Sequence, residues 1–399
     1  MEELMYYVWQ QRMFQSVVSI DKTEIEIIHP GLRNLDSGPD FFNAKIRING
    51  TVWAGNVEMH VKASDWFKHH HQDDRIYDSV ILHVVLAADA EIRTHSGEPI
   101  KTAVMTIPKN VMDHFKILTD SNRFLYSAIN CRNELSSVPS IVLHDWQTSL
   151  AIQRMINKVN RVRDIIDDKQ KSWPEALYVT LTRALGTGIN SDACERLARS
   201  LPFAFLQKHV DNYNQIEALL LGQANLADSV KIQKEYDFLR AKFSLVPLPK
   251  EAWKMSRTRP QASPSIRLRA LARIICFNKD LFSTIIECED FSELEKILTI
   301  PKMIGKSTVD SLIINSVVPI MLAYAQWQQD DNLNEKAIHL LESLPAESNR
   351  YMDYWLTCGI PLKNAFDSQA MLQLYKEYCE PHKCMRCRIG CWLLKHKRE

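Results

Sequence analysis

Glycine and proline are scarce in this chain, 11 and 16 of 399 residues, which excludes a collagen-like or low-complexity protein. An excess of either charge is also missing. Lys and Arg number 49 against 48 Asp and Glu, so any affinity for nucleic acid must come from a local patch. There is no long apolar run: the nearest, Leu312–Trp327, is broken by Asn315 and Pro319, short of the roughly 18 apolar residues of a membrane span. The opening MEELMYYVWQQRMF has Glu2 and Glu3 where a signal peptide carries basic residues, and no apolar stretch follows. Nine cysteines, an odd number with four crowded near the C-terminus, do not form the even framework of a secreted domain. These absences predict a cytoplasmic protein with reduced thiols and no membrane association. What is present is ordinary globular composition, 46% apolar and 24% charged. At about 150 residues per domain the length allows two or three domains.

The hydrophobic period divides the chain. The first 14 residues read as a helix, with Leu4, Tyr7, Val8, Trp9 and Met13 on one broad side. A period of two follows in EIEIIH (24–29), FFNAKIRI (41–48) and TVWAGNVEMHVK (51–62), the last two joined by the hairpin signal Asn49-Gly50. Residues 64–77 read as a short polar helix capped by Ser64, and VILHVVL (80–86) as a strand buried on both faces. Further strands are expected near 91–95 and 101–107. From ELSSVPS onward nearly every segment has helical spacing. The expectation is an α+β domain over 1–135 and an all-helical region over 136–399.

Asp40 opens the first hairpin strand, and Glu58, His60 and Lys62 share one face of the second. Two carboxylates held together make a hard-oxygen site for Mg²⁺ or Mn²⁺, which can lower the pKa of a bound water. The pattern Pro39-Asp40 … Glu58-x-His60, in a helix, three strands, helix, strand order, resembles the PD-(D/E)XK nuclease superfamily. That resemblance implies metal ligation by Asp40 and Glu58, a further acid from Glu2 or Glu3, and phosphodiester hydrolysis. The chain departs from it at the superfamily's lysine, where His60 stands; Lys62, or His60 itself, is the candidate substitute. The alternative is a non-catalytic nucleic-acid-binding or assembly protein on a degenerate nuclease fold.

Three other features carry chemistry. His69, His70 and His71, with Asp73, Asp74 and His83, suggest zinc, although three consecutive histidines on a helix point in three directions. Cys379-x4-Cys384-x2-Cys387-x3-Cys391 has the spacing of a tetrahedral zinc or [4Fe–4S] ligand set, with Cys131 as an alternative fourth ligand. Cys131 with Cys379, Cys384 and Cys387 is similar to the iron–sulfur staple of some recombination and CRISPR-associated exonucleases of the same superfamily. Finally, Lys254, Arg257, Arg259, Arg267, Arg269 and Arg273 occur without an intervening acid, beside Trp253. Such a segment suits contact with a DNA or RNA backbone.

Over nearly its full length the sequence resembles the bacterial family known as domain of unknown function 2851. The stretches that carry this include GLRNLDSGPDFFNAKIRINGTVWAGNVEMHVKASDWFKHHHQDDRIYDSVILHVV, WKMSRTRP and YCEPHKCMRCRIG. The resemblance implies that Cys379, Cys384 and Cys387 belong to the family outline, which favours Cys131 as the fourth ligand. It implies no activity.

Overall fold

The computed structural model describes residues 1–34, 36–119, 129–168, 172–255, 260–289 and 291–396. The chain forms two compact units. One contains Met1–Trp146 together with Tyr375–Glu399, and the other is Gln147–Leu374. The expected cut at 135 therefore moves to Trp146, and the C-terminal segment belongs to the first unit rather than to the helical region. The reason is burial: Leu135 and Val138, in the ELSSVPS stretch where the expected cut falls, are core residues.

In the first unit, helix α1 (Glu2–Gln10) is followed by strands β1 (Ser16–Ser19), β2 (Ile25–His29), β3 (Leu32–Arg33), β4 (Phe41–Ile48) and β5 (Thr51–Lys62). Then come the short helix α2 (Asp65–Lys68), two 3-10 turns (His71–Asp73 and Arg75–Ser79), β6 (Val80–Ala87), β7 (Thr102–Thr106) and α3 (Lys109–Thr119). The strands form one mixed sheet in the order β1-β7-β6-β5-β4-β2, with β3 pairing β4. The pairs β2–β4, β4–β5 and β1–β7 are antiparallel, whereas β5–β6 and β6–β7 are parallel.

The β4–β5 hairpin forms because Asn49 (φ 49°) and Gly50 (φ 80°) both adopt the left-handed conformation that a two-residue primed turn requires. Ile46 and Ile48 face the core while Lys45 and Arg47 face water, as the alternation predicts. A bulge at Asn43 (φ 55°) shifts the register between Phe41 and Ala44, so Asp40 enters the hairpin out of step with the rest of β4. Three expectations are corrected. Residues 64–77 are not one helix: Ser64 caps nothing, its hydroxyl binding Asp89 instead, and the helix stops at Lys68. Residues 91–95 contribute only an isolated bridge, Arg93 to Pro99. The four-residue β1, too short to show a period, was not anticipated.

The second unit is helical. Ser172 and Ser229 accept from the backbone N–H groups of Glu175 and Ile232, capping Trp173–Leu185 and Val230–Phe243. The helical stretch Lys306–Gln328 is long and apolar enough to cross a membrane, yet 72% of its apolar window is buried in the protein. It widens into a π-turn at Ile313–Val317, just before Pro319, which has no N–H for the carbonyl four residues back.

Candidate metal centre

The parallel register of β5 and β6 sets Glu58 beside His83 and His60 beside Val85. Glu58 and His60 are two apart on β5 and so project from the same face, and both are buried. Asp40 is locked to them from β4. Its backbone N–H donates to Glu58 Oε2 at 2.9 Å, and its own Oδ2 accepts from the Met59 N–H at 3.0 Å.

The histidines complete the site in a way that helical spacing hides. His70 takes a left-handed conformation (φ 59°) between the end of α2 and the next turn. That break swings His69 and His71 back over the sheet. One donor atom from each of His60, His69 and His71 then lies within 4.8 Å of the others. His60 Nε2 is 3.0 Å from His69 Nδ1, and His60 Nδ1 is 2.8 Å from His83 Nε2. Glu58 Oε1 faces the group, 3.2 Å from His71 Nε2 and 3.7 Å from His60 Nε2. Trp66, fully buried, packs edge-on against His60, His71 and His83, and Tyr77 stacks on His71 at 3.8 Å. His60 and His71 are buried and His69 is exposed, so the group reaches solvent at His69.

Burial dominates the electrostatics. It raises Asp40 to about 7, with the Glu58 charge adding to the effect, and raises Glu58 to about 8. Burial also lowers His60 and His83 to about 3, helped by neighbouring imidazoles, and lowers His71. The site therefore favours neutral carboxyls and neutral imidazoles. Neutral imidazole is the ligating form, and a cation placed among the carboxyls would reverse their shift. Three imidazoles beside carboxylates suit Zn²⁺, Mn²⁺ or Fe²⁺ better than Mg²⁺, which prefers oxygen alone.

Sequence reasoning missed two contributors, Arg33 and Tyr6. Arg33 lies in a stretch that reads as a turn; its guanidinium sits 3.4 Å above the Tyr6 ring and lowers both Asp40 and Glu58. Its Nη1 is buried without a hydrogen-bond partner. Tyr6, on α1, hydrogen-bonds Asp40, and burial raises its pKa. Glu2 is close enough for its charge to raise Glu58, whereas Glu3 pairs with Arg386 at 2.7 Å. Lys62 stands apart: it is exposed at the end of β5, and its charge acts on Asp89.

The basic segment does not form one surface. Arg267 is buried and donates toward the Met303 carbonyl and Thr308, and Arg269 is bound to Glu217 and Asp228. Trp253 is buried, its indole N–H donating to the Ala224 carbonyl, so it offers no stacking face. Lys254 is exposed and Arg273 half-buried beside Tyr213; Arg257 and Arg259 lie outside the described residues.

Of the cysteines, Cys131, Cys379, Cys384 and Cys387 line a common cavity, and Cys391 does not. Burial raises Cys384 to about 12 and also raises Cys387.

No curated protein and no solved structure matches the chain. A family model described as protein of unknown function (DUF2851) matches residues 2–350, a span that holds Asp40, Glu58, the histidines and Cys131 but stops short of Cys379, Cys384 and Cys387. The chain belongs to the DUF2851 family.

Proposed function

We propose that the first unit is a metal-dependent hydrolase of phosphodiester bonds, with the metal held by His60, His69, His71 and Glu58. The observation that carries this is the convergence of three imidazole nitrogens and Glu58 Oε1 in a pocket open at His69. A divalent ion there would supply a water of lowered pKa and a positive charge beside the scissile phosphate. Asp40, whose Oδ2 accepts from the Met59 N–H at 3.0 Å, would serve as the base that takes the proton of such a water as its oxygen bonds to phosphorus. The Arg33 guanidinium, with Nη1 unpartnered, offsets charge on the phosphoryl oxygens. The leaving alkoxide takes its proton from solvent at the open side.

The substrate class rests on topology. The order of α1, the antiparallel β2, β4 and β5, the short α2 and the parallel β6, with β1 and β3 added, supports the resemblance to the PD-(D/E)XK core, in which Asp40 and Glu58 would take the two acid positions. In this reading His60 serves as a ligand instead of replacing the superfamily's lysine. One observation favours the non-catalytic alternative: both His60 nitrogens are already engaged, and Lys62 lies off the site. The test incubates the full-length protein with linear DNA, single-stranded DNA and RNA in Mn²⁺, Zn²⁺ or Mg²⁺. Cleavage in Mn²⁺ or Zn²⁺ that is lost in Asp40→Asn with folding intact is expected. Binding without cleavage of any of the three would favour the alternative.

A further inference from the structure

The cavity among the cysteines is small, about 20 Å³, room for one water-sized sphere. Its lining draws on distant parts of the sequence within one unit: Cys131 before the 3-10 turn Arg132–Ser137, Cys379 at the end of the π-turn Tyr375–Cys379, and Cys384 and Cys387 flanking a tight turn. That turn closes with the Cys387 N–H donating to the Cys384 carbonyl at 3.2 Å, which carries the two side chains to the same cavity. Gly390 lets the turn fold onto the helix Arg388–His396, because a Cβ there would fall 2.2 Å from the Cys384 carbonyl oxygen. Cys384 Sγ also donates to the Leu118 carbonyl at 3.4 Å, holding the turn against the end of α3. Cys391 does not line the cavity: its Sγ donates to the Met385 carbonyl at 3.1 Å, although its charge still reaches Cys384.

Four thiols lining one small cavity form a soft donor set with the ligand number of tetrahedral zinc; a [4Fe–4S] cluster takes the same four thiolates but needs a wider cavity. We propose that Cys131, Cys379, Cys384 and Cys387 ligate a second metal centre, distinct from the histidine centre and held by thiolates. Each thiol gives up its proton to solvent as it binds. The centre ties the stretch around Cys131 to the C-terminal segment and has no part in hydrolysis.

The test is metal and sulfide analysis with an absorption spectrum on full-length protein purified without oxygen, in wild type, Cys131→Ser, Cys384→Ser, Cys391→Ser and His69→Ala. Wild type, Cys391→Ser and His69→Ala should each carry a sulfur-bound metal, about one zinc or about four irons with sulfide. Cys131→Ser and Cys384→Ser should lose it while retaining their circular dichroism. Metal-stripped wild type titrated with Co²⁺ should develop a sulfur-to-cobalt charge-transfer band, which imidazole ligands do not produce. No such band in wild type, or a band that survives Cys131→Ser and disappears in Cys391→Ser, would overturn the assignment. So would a non-reducing mass showing that the four residues form two disulfides.

Discussion

The two units differ in their most prominent groups of buried polar side chains. In the helical unit two such groups close on themselves, although Tyr178 Oη, Arg267 Nε and Gln373 Nε2 are buried without partners. Gln223 donates to Ser200 Oγ and the Val246 carbonyl and accepts from Tyr236. Lys158 Nζ donates to the Ile314 carbonyl, Asn315 Oδ1 and Gln369 Oε1, at 2.7–3.1 Å. Burial lowers the Lys158 pKa to about 7, yet three acceptors meet its three N–H bonds, an arrangement complete only for the ammonium. In the sheet-containing unit, Asp40, Glu58 and four histidines face each other with Arg33 as the cation whose charge reaches both carboxyls. His83 Nδ1 and Arg33 Nη1 are buried without partners. A closed network specifies packing, whereas an electrostatically incomplete one leaves donor atoms open to a ligand.

The largest effect expected from this contrast is on metal affinity. His69→Ala or His71→Ala should weaken Mn²⁺ or Zn²⁺ binding at the histidine centre by more than the roughly 10–100-fold that loss of a ligand's supporting partner costs. Lys158→Met should leave that affinity unchanged, and calorimetric titration of the three variants checks both. The same Lys158→Met change should cost the helical unit about 3 kcal/mol in urea unfolding, because it removes the donor to the Ile314 carbonyl and Asn315 Oδ1 and leaves Gln369 Oε1 with Arg154 Nε alone. If it instead disturbs metal binding, the division of labour between the units is wrong.

A smaller effect concerns pH. With Asp40 near 7 and Glu58 near 8, the folded metal-free unit holds protons that the unfolded chain, with carboxyls near 4, has already lost. Stability therefore falls as pH rises through 7 and 8. Below about 6.5 the buried neutral His60 and His83 oppose this, since the unfolded chain then binds the protons. From pH 6.5 to 8 the metal-free unit should lose about 2 kcal/mol, and saturating Mn²⁺ should flatten the slope by keeping the carboxylates ionised in the folded state. Thermal melts across that range check it. The smallest effect is Tyr236→Phe, which removes one bond to Gln223 and should cost about 1 kcal/mol with no effect on metal.

The hairpin and its carboxylates were legible because alternation and Asn49-Gly50 are local signals, and β4 and β5 run over the stretches that show them. The helical character of the second unit was legible for the same reason, because nearly every segment there has helical spacing. The histidine trio was not, because its formation depends on a left-handed residue that is His70 rather than glycine. Arg33 was hidden in a segment with no period, and its importance comes only from Tyr6, some 27 residues earlier, lying beneath it. The buried fate of Arg267 and Arg269 depended on acids and carbonyls from helices far away in sequence, which a run of basic residues does not reveal.

The return of the C-terminal segment has a consequence for synthesis. The Tyr7 hydroxyl donates to the Cys391 carbonyl at 3.1 Å, and Arg386 pairs with Glu3. The sheet leaves the ribosome first, but its unit cannot close until residues 375–396 follow. At about 5–20 residues per second the intervening helical stretch takes roughly 10–50 s to translate. The nascent sheet spends that interval with part of its apolar surface uncovered, while the unit encoded in between has its whole sequence available earlier. Chaperone contact during translation should therefore fall on the unit that begins first and is completed last.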